Sequence, residues 1–243
     1  SVSLPIVDVT AKAGVAQMIP HSTNAKITQK GSEWVFRIPV SGRYYGGVNA
    51  KYVGENIGTK IAYICAADAA SVGDCANMEK QMRSRFGVDP AYRADVQEKE
   101  VDFRSHMQKI KSANVDGILV AALAETMARA LVQSYEAGIG EDVRRIGSSS
   151  ASNAPVPKIA GDAAKGVFFT AAYAAADDRP IAKLFNEMTR QRYGIHAPDH
   201  DFSQAYDLVR IMEMALKSTD LELSSSSLAA DRTAIRDAIA SVE

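Results

Sequence analysis

The chain has almost no net charge. Its 28 Lys and Arg stand against 29 Asp and Glu, a formal balance of -1, and the cations are scattered along the sequence. A nucleic-acid binder gathers its cations into a patch or stripe, so this distribution argues against a nucleic-acid partner. Long apolar runs are also missing: none approaches the roughly 20 residues that a membrane helix needs, so the chain is not expected to be embedded in a bilayer. No basic-then-apolar leader opens the sequence, as expected of a mature or a cytosolic form. Cysteine is scarce. Cys65 and Cys75 are too few for a disulfide framework. They make one bridge or two free thiols, and the sequence leaves both open, and the compartment with them.

Enzyme signatures are absent as well. There is no phosphate-cradling GxxxxGK[ST], and no GxGxxG lies between a strand and a helix. "GIG" at 138–140 precedes a strand, the wrong context. Neither a GxSxG elbow nor an HExxH helix occurs. "HAPDH" (196–200) sets two histidines four apart, but Pro198 makes the stretch a loop and no further ligands are assignable, so no metal site is expected. Asp177 and Asp178 precede a helix whose positive end they suit. Cys75 lies near a helix start, where a thiol is acidified, yet a packed or bridged cysteine is the plainer reading. No cofactor and no catalysis are expected.

What is present is a core-forming sequence with a regular alternation. The chain is 47% hydrophobic and 23% charged, enough apolar content to bury a core. "KIAYICAAD" (60–68) is strand-like. "GDCANMEKQMRSRFG" (73–87) has helical spacing and stops at Gly87. "AYRADV" (91–96) is a weaker strand. "DFRSHMQKIKSAN" (102–114) is an amphipathic helix with Phe103, Met107 and Ile110 on one stripe and Asp102 as its expected N-cap. "DGILVAAL" (116–123) is a continuous apolar run, as for a strand covered on both faces. A helix over 124–138, a short strand running into a serine loop over 142–150, a strand over 165–173 and helices over 179–194 and 201–218 follow. The serine-rich "LSSSSLAADRTAIRDAIASVE" (223–243) is a loop and then a helix, with Asp231 in the cap region.

Strands alternating with helices imply βαβ units and a parallel sheet. Five strands between 60 and 173 predict a flavodoxin-like three-layer α/β/α domain. In such sheets ligands bind beyond the carboxyl ends of the strands, which directs attention to the loops starting near Ala66, Ala121, Gly147 and Thr170. A different place stands out at "MIPHSTNAKITQKGSEWVFR" (18–37). His21, Ser22, Thr23 and Asn24 crowd together where a strand stops. Hydroxyls and backbone N–H groups there suit an anionic group, while an ordinary Ser/Thr turn is the alternative that local chemistry favours.

The segment "AGVAQMIPHSTNAKITQKGSEWVFR" resembles the ligand-contacting segment of the type I periplasmic binding proteins, in the Leu/Ile/Val-binding branch. Further blocks resemble that family in order: "GTKIAYICAAD", "VDFRSHMQKIKSANVDGILVA", "AGDAAKGVFFTAAY", "FNEMTRQRYG" and "AYDLVRIMEMAL". The resemblance implies an extracytoplasmic solute-binding protein of an ABC transporter, periplasmic or extracellular, free or tethered to a membrane. It would bind a small carboxylate between two lobes by hinge closure and pass it to a membrane permease. The ligand would be a branched-chain or other amino acid, or an aromatic acid. The alternative is a ligand-sensing receptor or regulator domain of the same fold.

By the same resemblance, His21, Ser22 and Thr23 grip the ligand's charged groups. Ser1 and Ser3 lie at or beside another serine contact. Leu123, Ala124, Tyr173, Asp201 and Ser203 fall at or near contacts attributed to the second lobe, and Ser149, in the loop after Gly147, completes the ligand-binding set. The expected organisation is a first-lobe remnant over 1–41, a complete second lobe over 42–218, and a return to the first lobe over 219–243. The chain would thus be a truncated member, and its unpaired sheet edges invite self-association.

Overall fold

The computed structural model describes residues 3–242. The chain divides into two compact units, one made of residues 1–40 and 173–243, the other of residues 41–172.

The middle unit is built on a parallel sheet. Its strands are β3 (Ile61–Ala66), β4 (Tyr92–Val96), β5 (Gly117–Ala121), β6 (Arg144–Gly147) and β7 (Phe168–Phe169), in the order β4-β3-β5-β6-β7. All four pairings are parallel, with Ile61 opposite Gly117 and Ala62 opposite Tyr92. The strand alternation explains the apolar runs. In β3, Ala62, Ile64 and Ala66 enter one core, whereas Ile61, Tyr63 and Cys65 enter another. In β5, Ile118 and Val120 face the first core, and Leu119 and Ala121 the second. Both faces are covered, so every β3 and β5 residue is apolar or glycine.

Helices α5 (Arg104–Ala113) and α6 (Ala124–Glu136), with the short α7 (Pro155–Ala160), cover the first face. Phe103, Met107 and Ile110 are fully buried there, the stripe the sequence predicts. Helices α3 (Gly42–Asn56) and α4 (Ala69–Phe86) cover the second face. They pack closely because α3 has glycines at the crossing: a Cβ on Gly46 would meet Asn77 Cβ at 2.7 Å, and one on Gly54 would meet the Phe86 ring at 2.2 Å. Gly87 ends α4 in the left-handed conformation that glycine adopts without strain (φ 70°).

Three expectations change. Helix α4 begins four residues before Gly73, because Asp68 caps it: its Oδ1 accepts from the N–H groups of Ala70 (3.0 Å) and Ser71 (3.1 Å). Cys75 therefore sits in the second turn, and it is bridged to Cys65 with Cα atoms 6.2 Å apart. Asp102 is not the N-cap of α5. That position belongs to Phe103, while Asp102 Oδ1 accepts from Arg104 N one residue inside. The strand expected over 165–173 shrinks to Phe168–Phe169, since β7 pairs only with β6, and that strand ends at Gly147. The ring of Phe168 stacks on Tyr52 of α3 at 4.3 Å.

The other unit is a smaller layered arrangement. Strands β1 (Gln17–Ile19) and β2 (Val35–Arg37) pair in parallel, with Ile19 opposite Arg37. Ile19 packs with Val7 of α1 (Ser3–Ala13) and Ile27 of α2 (Lys26–Gln29). Met18 and Phe36 face the opposite way, toward α9 (His200–Lys217) and α10 (Leu228–Ala240). Asp231 holds the loop before α10, accepting from Glu222 N, Leu223 N and Ser227 Oγ.

Residues 173–218 cluster with this unit rather than with residues 42–172, so the compact units have other bounds than the expected lobes. Packing gives the physical reason: Ile211, Met212 and Ala215 of α9 share a core with Met18, Phe36, Ala238 and Ile239, and aromatic contacts hold the preceding helix to α9. Phe185 of α8 (Pro180–Tyr193) packs edge-on against Tyr173 and touches Phe202 and Tyr206 of α9, and Tyr193 packs on Phe202.

Candidate ligand-binding site

The loop after β1 is held from below. β2 runs beside β1 and ends at Arg37, so the guanidinium reaches the turn. Arg37 Nη1 donates to the carbonyls of Asn24 (2.9 Å) and Thr23 (3.3 Å), and Nη2 donates to Thr28 Oγ1 (3.2 Å). Asn24 Oδ1 accepts from Lys26 N at 2.9 Å and turns the chain into α2. The carbonyls face Arg37, and the side chains of Ser22 and Thr23 are half-buried.

His21 does not stand alone. Its Nδ1 lies 3.2 Å from Asp201 Oδ1, in the first turn of α9. The same oxygen lies 3.2 Å from Nε2 of His200. His200 is buried, and its imidazole is pushed below the ordinary histidine range, mainly by desolvation, against the opposing pull of Asp201 and Asp199. Asp199 caps α9 through Phe202 N at 2.9 Å.

The other expected residues of this unit fare differently. Ser203 is buried and donates its hydroxyl to the His200 carbonyl at 3.0 Å, a side-chain bond back onto its own helix. Tyr173 donates to Asn186 Oδ1 at 2.6 Å, and burial raises its phenol above the ordinary value. Ser3 opens α1, and its carbonyl accepts from Gln17 Nε2 at 3.1 Å. Ser1 lies outside the described residues.

In the middle unit the sheet order reverses at β3 and β5, so the crevice beyond their carboxyl ends is the natural ligand position for this topology. Leu123 is half exposed there as the N-cap of α6, and Ala124 is the first helical residue. Ser149, in the loop after β6, opens a 3-10 turn; its carbonyl accepts from Ser152 Oγ at 3.0 Å. Two acids occupy the β3 side. Asp68 spends Oδ1 on capping α4, while Oδ2 is buried with no hydrogen bond among the described residues. Asp74, one and a half turns into α4, is pushed up to about 7 by burial and, secondarily, by the Asp68 charge.

Sequence reasoning did not single out His200, Arg37, Asp68 and Asp74 as candidate ligand-site residues. The terminal Arg of "VFR" was the available signal for Arg37, since a parallel neighbour brings strand ends together. His200 was weighed only as a metal partner of His196. No group of three His, Cys, Asp or Glu able to hold a metal occurs among the described residues.

Comparison with known proteins places this geometry in context. A family model described as "Periplasmic binding protein" matches residues 1–243. The leucine-, isoleucine-, valine-, threonine-, and alanine-binding protein of Pseudomonas aeruginosa is 26% identical over 167 residues, 68% of this chain and 44% of that protein. The Leu/Ile/Val-binding protein homolog 3 of Brucella melitensis is 27% identical over 182 residues, 75% and 49% of the two chains. The chain thus spans about half the length of the curated relatives it matches. Among solved structures, a leucine-binding protein from Thermotoga maritima superposes with a TM-score of 0.83 at 22% identity, over 98% of this chain and 65% of its own. A solute-binding protein of an ABC transporter from R. palustris, in complex with benzoate, gives 0.86 at 17% identity, over 99% and 64%. These likenesses establish the fold.

Proposed function

The chain belongs to the periplasmic binding protein family, and from that premise we propose that it serves an ABC transporter as an extracytoplasmic solute-binding component, taking a small carboxylate and delivering it to a membrane permease. The observation that carries the reading is the braced loop at 21–24. Arg37 fixes its carbonyls, Asp201 stands beside His21, and the hydroxyls of Ser22 and Thr23 belong to the same turn. A pre-formed loop loses little conformational freedom on binding, which suits the capture of a small ligand. The names of the relatives and neighbours point to two ligand classes, aliphatic amino acids and benzoates, and both carry a carboxylate. No helix among the described residues is long and apolar enough to cross a membrane.

Calorimetric titration with L-leucine, L-valine, benzoate and 4-hydroxybenzoate tests the reading. A hydrogen bond to a charged group contributes roughly 1.5–3 kcal/mol, so Thr23→Ala should weaken binding of the preferred ligand by about one to two orders of magnitude. Unchanged affinity in Thr23→Ala would reduce the loop to an ordinary turn.

A further inference from the structure

A cavity of about 830 Å³ opens at the amino end of the middle sheet. It lies between the last turn of α6, the 138–143 loop, the start of β6 and the turn that leads into β7, all within residues 41–172. The crevice beyond the carboxyl ends of β3 and β5 is at the other end of the same parallel sheet. The volume falls in the range of roughly 300–1,000 Å³ common to small-molecule sites.

Arg145 is the half-buried charge in its wall. Nε donates to Ser134 Oγ at 3.3 Å, Nη1 donates to the carbonyls of Gly140 and Val143 at 2.6 Å each, and Nη2 donates to the Ile139 carbonyl at 2.7 Å. A guanidinium carries five N–H groups, so one on Nη2 is left over. All four acceptors are neutral, and no carboxylate pairs with Arg145 among the described residues. Burial holds its guanidinium below the ordinary arginine value, against the pull of Asp142 and Glu141.

The neighbouring charges favour an anion. Arg144 lines the cavity, is exposed, and has no ion pair among the described residues. Lys165 pairs with Asp162 at 2.7 Å, but both side chains are about four-fifths exposed, and a pair so open to water holds weakly. Glu141 is the remaining acid, so three cations face two carboxylates. The rest of the wall includes the exposed ring of Tyr135 and the apolar side chains of Ile139 and Val143. A bare inorganic ion would fill little of this space. A carboxylate is best held by two parallel N–H groups of one guanidinium, and Arg145 has a single one to give. A phosphoryl group presents three oxygens and can draw its donors from separate side chains.

We propose that this cavity is an accessory binding site for a small organic phosphate, with the phosphoryl oxygens on Arg145 Nη2–H and Arg144 and the apolar body against Tyr135, Ile139 and Val143. The site does not depend on the carboxylate reading given above. Arg145 also ties down the 139–143 loop, so the variant that tests the site is at Arg144, whose side chain is exposed.

Amide and arginine side-chain correlation spectra of the intact protein, titrated with phenyl phosphate, locate the site. Saturating shifts are expected at Gly138, Gly140 and Gly166 and at Arg145 Nε–H. Shifts confined to residues 21–24, or none that saturate, overturn the proposal. Benzoate that moves the same resonances as strongly overturns the assignment to a phosphate. In calorimetric titration, Arg144→Glu should weaken phenyl phosphate binding about tenfold or more, because it removes a charged donor and places a carboxylate beside the anion. Unchanged affinity in Arg144→Glu overturns the seat. Inorganic phosphate should bind about tenfold more weakly than phenyl phosphate, since it buries no apolar surface. Equal affinity of the two overturns the role of the apolar wall.

Discussion

Two adjacent glycines in α3 should respond in opposite directions to the same substitution. A Cβ on Gly46 would lie 2.7 Å from Asn77 Cβ and 3.1 Å from backbone atoms of Asn77 and Met78 in α4, whereas nothing lies within 4 Å of a Cβ on Gly47. Alanine in a helix interior is favoured over glycine by roughly 0.5–1 kcal/mol, because the unfolded chain loses freedom. At Gly47 that gain is unopposed. At Gly46 the obstacle is the α4 backbone, which cannot swing aside as a side-chain tip can, and overpacking of this kind costs about 1–3 kcal/mol. Gly46→Ala should therefore be about 1–2 kcal/mol less stable than the parent and Gly47→Ala about 0.5–1 kcal/mol more stable. The two variants should differ by about 2 kcal/mol. At roughly 2–4 °C per kcal/mol for a chain of this size, their melting temperatures should be about 4–8 °C apart. Urea unfolding and calorimetry of the pair provide the measurement. Equal midpoints would refute the claim that Gly46 sets the α3–α4 distance, and with it the explanation for a glycine-rich helix over β3.

Asp74 predicts an inverted pH dependence. Its carboxyl is raised from 3.8 to about 7 in the folded state, so the unfolded chain ionises it first as pH rises. Stability should fall between about pH 4 and pH 7 and level off above; Asp74→Asn should remove that slope in a pH series of unfolding midpoints, and an unchanged slope would discard the assignment. The Cys65–Cys75 bridge closes a separation of 10 residues, for which the loop-entropy relation gives about 2–3 kcal/mol. Cys65→Ala/Cys75→Ala should lose about that much in urea unfolding, and a thiol titration of the denatured, unreduced protein should find no free thiol. Arg37→Met should leave α9 and α10 folded but free the 21–25 turn, seen as faster amide exchange there and weaker carboxylate binding. Exchange as slow as in the parent would show that the turn holds itself.

The middle unit was legible in the sequence because its physics is local and repetitive. Strands buried on both faces must read as apolar runs, and "KIAYICAAD" and "DGILVAAL" do. Helices with one buried stripe must repeat at helical spacing, and Phe103, Met107 and Ile110 do. Gly87 marked a helix end, since it adopts the left-handed conformation that closes a helix. Element starts were harder. The Asp68 cap and the "AASV" turn of α4 carry no apolar periodicity, and a strand as short as β7 is defined by its neighbour rather than by its own residues.

The candidate ligand loop divides in the same way. The cluster of His21, Ser22, Thr23 and Asn24 announced itself by composition at a strand's end. What braces it did not, because Arg37 is thirteen residues away from Asn24 and the parallel pairing of β1 with β2 brings them together. Asp201 was named from sequence, yet its neighbour His200 was weighed only as a metal ligand and set aside, since its 3.2 Å approach to Asp201 and its burial are encoded in no spacing. The same holds for residues 173–218. Their helices were written in the sequence, but which core they join was decided by Ile211, Met212 and Ala215 of α9, which meet Met18, Phe36, Ala238 and Ile239 only in the folded unit, while the rings of Tyr173, Phe185, Tyr193, Phe202 and Tyr206 bind α8 to α9.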